Sequence, residues 1–73
     1  MDIMRKYREA MESIQKDYEF FIDRSGWEEH DAYTCCLAKL IGLSEVAIYD
    51  TALTMDEFQE INNYRIERRD EDA

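Results

Sequence analysis

The chain has 73 residues and a formal charge of −9, which allows one domain with a thin core, since a chain this short buries only about 60% of its unfolded surface. A hydrophobic content of 45% is too high for a disordered chain despite the charge; no apolar run reaches the roughly 18 residues of a membrane span, and the amphipathic, charged first dozen residues are unlike a signal peptide. No proline, two glycines and abundant Glu, Ala, Leu, Met, Lys and Arg predict an all-α fold, a compact bundle of three to four helices forming a single domain over residues 1–73, in the cytoplasm.

The first element is a long helix over about residues 3–23. Met4, Tyr7, Met11, Ile14, Tyr18 and Phe21 recur at alternating spacings of three and four, the a and d positions of a heptad. Ile3, Ala10 and Ile22 widen the stripe, which suits a globular core. The same stripe also fits a homodimer through this helix, burying Met4, Met11 and Tyr18. Ser25-Gly26-Trp27-Glu28 reads as a capping box that starts a second helix. That helix is expected to reach Ile41, with Tyr33, Cys36, Leu37, Leu40 and Ile41 facing inward, and to stop at Gly42, the usual residue of a left-handed helix end. Ser44 then caps a short third helix over 45–52, with Val46, Ile48, Tyr49 and Leu53 supplying contacts. Thr54-Met55-Asp56-Glu57 is a second capping box; it opens a last helix with Phe58, Ile61 and Tyr64 or Arg65 inward. The polar tail over 67–73 is expected to fray. Cys35 and Cys36 are adjacent, a poor geometry for a bridge between them, so reduced thiols are expected.

One stretch resembles a known family. Leu37-Ala38-Lys39-Leu40-Ile41-Gly42-Leu43-Ser44-Glu45-Val46-Ala47-Ile48-Tyr49 is similar to the helix-turn-helix of the phage repressor and Cro family, with Ala38, Gly42 and Ile48 at that family's spacing. The likeness covers residues 34–53. It implies a small residue at a close helix crossing, a glycine in the turn, and an apolar plug on the second helix. It also implies that Ser44, Glu45, Ala47, Tyr49 and Asp50 face base edges in the major groove. The charges depart from the pattern. No Lys or Arg lies between Lys39 and Arg65, although phosphate neutralisation provides much of the affinity of such proteins. Thr34 stands where the family often places a phosphate-binding Gln. The expectation is therefore a helix-turn-helix corner without direct nucleic-acid binding. Arg5, Lys6 and Arg8, the remaining basic group, are interleaved with acids.

The negative charge is unevenly placed. Residues 27–64 hold eight acids and one base, Lys39. A negative surface repels nucleic acid and membrane headgroups and attracts basic proteins. Catalytic patterns are few. His30, the only histidine, has Thr34 four residues on and no second good metal ligand at helical spacing, so a metal site is not expected. His30 and Cys36, six apart on a helix, point to different faces. No phosphate loop, nucleophilic triad or cofactor fingerprint occurs, and the acids have no cleft in which their pKa values would be tuned. The sequence thus points to a non-enzymatic binder with no cofactor and no metal. Its expected binding residues are Trp27, Glu28, Glu29, Asp31, Glu45, Tyr49, Asp50, Asp56, Glu57 and Glu60, an acidic field with aromatic anchors. Its expected partner is a basic, nucleic-acid-binding protein. In size and charge alone the chain is similar to small phage anti-defence proteins of the anti-CRISPR kind, which implies an inhibitor that takes the place of nucleic acid. The alternatives are a helical regulatory or dimerisation module that uses the corner as a protein interface, and a DNA-binding regulator.

Overall fold

A computed structural model of the chain describes residues 2–69. It holds three helices, α1 (Ile3–Asp23), α2 (Glu29–Ile48) and α3 (Met55–Asn63), and among the described residues no strand. The fold is all-α, as the composition predicts.

Helix α1 forms where the periodicity places it. The Asp2 carboxylate accepts the Met4 N–H at 3.0 Å, satisfying one of the unpaired donors of the first turn. Its stripe is the core: Met4, Tyr7, Met11, Ile14 and Tyr18 are all buried. Opposite them α2 offers mostly small side chains, Ala32, Cys36 and Ala47, with Leu40 between. Large residues on one helix against small ones on the other let the two backbones approach closely. Ile61 of α3 and Ile66 beyond it complete the cluster. The stripe is therefore consumed within one chain, and the homodimer expected through Met4, Met11 and Tyr18 has no apolar surface left there.

The α1–α2 junction is built by Gly26 rather than by a capping box. Gly26 has φ of +72°, a left-handed conformation that costs glycine little. Around it the Arg24 and Ser25 N–H groups donate to the Phe20 carbonyl, and the Trp27 N–H donates to that of Phe21. The N-cap of α2 is Glu28, without a side-chain cap, so the box expected from Ser25 does not form. The indole of Trp27 stacks on Phe21 at 4.3 Å and closes the turn.

Helix α2 contradicts the break expected at Gly42. It runs 20 residues without interruption, and Gly42 lies inside it on the exposed side. The turn that the repressor-like resemblance implies at 42–44 is absent. Leu40, Leu43 and Ala47 lie on either side of Gly42 and pack into or against the core, and this packing offsets the roughly 1 kcal/mol that an interior glycine costs a helix. The real corner comes later. Tyr49 and Asp50 donate their N–H groups to the carbonyls of Val46 and Ala47, and the Asp50 carboxylate accepts the Ala52 N–H at 3.1 Å. Residues 45–52, expected as a separate helix, are thus the end of α2 and a turn. The second capping box is present in full: Thr54 Oγ1 accepts the Glu57 N–H and the Glu57 carboxylate accepts the Thr54 N–H.

After α3 the chain becomes an extended strap over 64–69 that runs back along α1. The Gln15 amide donates to the Glu67 carbonyl at 3.1 Å and accepts the Glu67 N–H at 2.9 Å. Ile66 is buried, and the Arg69 N–H donates to the Tyr18 hydroxyl at 2.7 Å. Fraying expected from residue 67 is therefore corrected through Arg69. Residues 70–73 of that expected tail lie outside the described residues.

Candidate functional site

The eight acids expected to form one binding field divide into two groups. Four have partners within the fold. Glu29 is only 7% exposed; it accepts the Tyr18 hydroxyl at 2.7 Å and both arms of the Arg68 guanidinium at 2.7 and 2.9 Å. Arg68 and Tyr18 together hold its carboxyl down at about 2, against the opposing effect of burial. Asp50 accepts the Tyr7 hydroxyl at 2.6 Å and lies 3.7 Å from Lys6 Nζ; Tyr7 keeps its carboxyl below the usual range. Glu57 closes the capping box of α3. Glu60 takes the Arg8 guanidinium at 2.9 and 3.2 Å, which lowers its pKa in turn.

The other four, Glu28, Asp31, Glu45 and Asp56, are exposed and in no ion pair among the described residues. Asp31 and Glu45 stand fourteen residues apart on α2, a whole number of heptads, so they share its solvent-facing ridge. Ala38, midway between them, keeps that ridge low. Tyr49 continues the ridge one turn beyond Glu45 and is 84% exposed. No base stands on it: Lys39 is turned toward α1, where its ammonium meets Asp17 at 3.1 Å and the Phe21 ring. Trp27, although 41% exposed, has one face taken by Phe21, and with Glu28 and Asp31 it lines a shallow hollow at the start of α2. The residues that the helix-turn-helix resemblance would send to DNA do not act together either, since Ala47 is buried and Asp50 is bonded to Tyr7.

The basic side chains are largely occupied. Arg5, Lys6, Arg8, Lys39, Arg68 and Arg69 each meet a carboxylate. Arg5, Lys6 and Arg8 pair with Glu9, Asp50 and Glu60 while remaining exposed.

A second surface went unseen in the sequence. Leu37, Ile41, Ser44 and Ile48 line one wall of an open groove of about 340 Å³; Phe58, Ile61 and Tyr64 form its floor and far side. Ile41 and Ile48 are 55% and 64% exposed. The signal was there, a spacing of four, three and four along α2, but ending the helix at Ile41 cut the pattern in half.

Little in these surfaces suits bond-making chemistry. Among the described residues the one buried carboxylate, Glu29, is held ionised, the reverse of the raised pKa of a general acid. Burial pushes the Cys36 thiol up, away from the reactive thiolate. Among the described residues no group of three His, Cys, Asp or Glu side chains is placed to hold a metal, and no helix is long and apolar enough to cross a membrane. Compared with protein-family models, curated proteins and solved structures, the chain matches none.

Proposed function

We propose that the protein is a non-enzymatic binder of a basic protein surface, and that the outer ridge of α2 makes the contact. The observation that carries this reading is the ridge itself: Asp31, Glu45 and an exposed Tyr49, with no base among them. A tyrosine gives large contact area at a small entropic cost. Unpaired acids around it steer a positive partner to the same place and repel nucleic acid. The partner that fits best is a protein whose own basic surface takes nucleic acid, in the cytoplasm. That is the mode of inhibition implied by the likeness in size and charge to phage anti-defence proteins.

The test compares the wild-type chain with Asp31→Lys and Tyr49→Ser as baits in extracts of the source cells. Expected is a retained basic protein that is released by added salt or duplex DNA and is lost from both variants. Retention indifferent to both substitutions and to salt would remove the reading, as would a direct gel shift of nucleic acid by the chain alone. A second reading, a helical regulatory module working through apolar contacts, is favoured by the groove beside Ile41 and Ile48. It predicts retention that survives high salt and is lost on Ile48→Asp.

A further inference from the structure

Helix α2 carries two apolar faces, and the fold covers only one. Ala32, Cys36, Leu40 and Ala47 pack on α1. Leu37, Ile41, Ser44 and Ile48 follow a seam of alternating fours and threes, the spacing by which one helix packs on another, and the two isoleucines stand in solvent. A helix apolar on more than one side belongs in an interior, and a domain this small gains much from a second surface to bury.

The rims of the groove bear on what could fill it. Glu45 lies on the α2 rim and is in no ion pair among the described residues. Arg65 lies on the opposite rim; its guanidinium donates only to the main-chain carbonyls of Asn62 and Tyr64, both through Nη1. A two-fold axis brings residue i of one copy to residue j of the other and j to i. One acid and one base on opposite rims of an apolar groove therefore form two pairs across such an axis.

We propose that this face is the contact between two copies of the chain, with α2 packed on α2, Ile41 and Ile48 buried between them, and Glu45 of each copy meeting Arg65 of the other. Ser44 in the middle of the seam leaves room for close approach. The net charge of each copy opposes association at long range, but at physiological ionic strength charges separated by more than about 8 Å are largely screened. Of the ridge residues, Glu45 enters the contact while Asp31 and Tyr49 remain outside it, so the dimer presents two copies of Asp31 and Tyr49; it does not depend on what they bind.

Sedimentation equilibrium of the full chain at physiological ionic strength, from low to high micromolar concentration, tests this. The wild type is expected to pass from monomer to dimer. Ile48→Asp is expected to stay monomeric with unchanged helical circular dichroism. Glu45→Arg and Arg65→Glu alone are each expected to weaken the dimer about tenfold, from two lost exposed pairs and the like charges that replace them. Combining both in one chain, or mixing the two single variants, is expected to restore it. A wild type that is monomeric throughout would overturn the proposal. A dimer that ignores Ile48→Asp, or that the paired charge swap fails to rescue, would equally do so, and would place the contact elsewhere or give the groove to a different protein.

Discussion

The carboxylate of Glu29, at the first turn of α2, is clasped by the guanidinium of Arg68, 39 residues later, through two hydrogen bonds of 2.7 and 2.9 Å. The same guanidinium lies over the Tyr33 ring, 3.8 Å from its centroid. Arg68 thereby ties the strap to α2, while the Arg69 N–H on Tyr18 and the Arg69 side chain on Asp23 tie it to α1.

Breaking this clasp should loosen the strap and the whole domain. Glu29→Gln removes a buried charge from a two-armed partner. Buried pairs cost about 3–5 kcal/mol to break from one side; Arg68 is partly exposed, so about 2 kcal/mol is expected, a fall of about 10 °C in thermal midpoint for a domain of this size. Arg68→Ala should lower the midpoint further, because it leaves the Glu29 carboxylate buried with only the Tyr18 hydroxyl. Arg68→Lys should recover only part of the loss, since an ammonium cannot engage both oxygens in a plane. Thermal melts of the three variants check the order.

The pH dependence has two limbs. Glu29 is lowered from 4.5 to about 2. The unfolded chain therefore takes up this proton first as pH falls. The stability from Glu29 is complete above about pH 5 and disappears as pH drops toward 2. Asp23, Asp50 and Glu60 are shifted in the same direction and add to this limb. Tyr7 is raised from 10.0 to about 12, first by its bond to Asp50, then by burial. The unfolded tyrosine loses its proton first as pH rises, so the stability from the Tyr7–Asp50 bond is complete below pH 10 and is lost on the way to 12. Denaturant midpoints across pH should form a plateau between the limbs. Arg68→Ala should lower the plateau, flatten the acid limb and leave the alkaline limb in place, because without Arg68 the Glu29 carboxyl is no longer held so far below its unfolded value; Tyr7→Phe should flatten the alkaline limb.

Local chemistry was legible in the sequence, and long-range chemistry was not. The stripe from Met4 to Tyr18 declared both the helix and the core because helical period and burial depend on the same residues. Glu29, Asp50 and Glu60 looked like free surface acids because their partners lie 39, 43 and 52 residues away, and no periodicity links them. Gln15 gave no sign that its amide would match both backbone groups of Glu67. Gly42 does not end the helix, for a different reason. A glycine in a helix is a modest local penalty, and the apolar residues on both sides of it had packing to gain from one continuous helix. The groove depends on that continuity, since Leu37, Ile41, Ser44 and Ile48 form a row only if α2 is unbroken. The exposed Tyr49 and the acids Asp31 and Glu45 were named from the sequence; their alignment on one ridge needed the same continuity.

The two capping boxes read from the sequence differ in the structure, and substitution should separate them. Thr54→Ala removes an oxygen that accepts the Glu57 N–H and should cost about 1 kcal/mol. Ser25→Ala should be nearly neutral, because Ser25 lies in the turn before α2 and Glu28 is the residue at the N-cap. Denaturant titrations of the pair check this. A Ser25→Ala loss equal to that of Thr54→Ala would mean that the first box forms after all.

Gly26 and Gly42 make the corresponding test for the backbone. A Cβ added at either position meets nothing within 4 Å, so sterics against neighbours do not distinguish them. Conformation does: Gly26 sits at a φ of +72°, and Gly42 is helical. Gly26→Ala should therefore destabilise by about 1 kcal/mol, the cost of a left-handed alanine. Gly42→Ala should stabilise by up to about 1 kcal/mol, through better helix propensity and a less flexible unfolded chain. The sign at position 42 is decisive for α2. A glycine in a helix-turn-helix corner would need the left-handed conformation, and alanine there would lower stability. A gain on Gly42→Ala, measured by denaturant titration, is the result expected of a single helix from Glu29 to Ile48, and with it of the ridge and the groove that this helix carries.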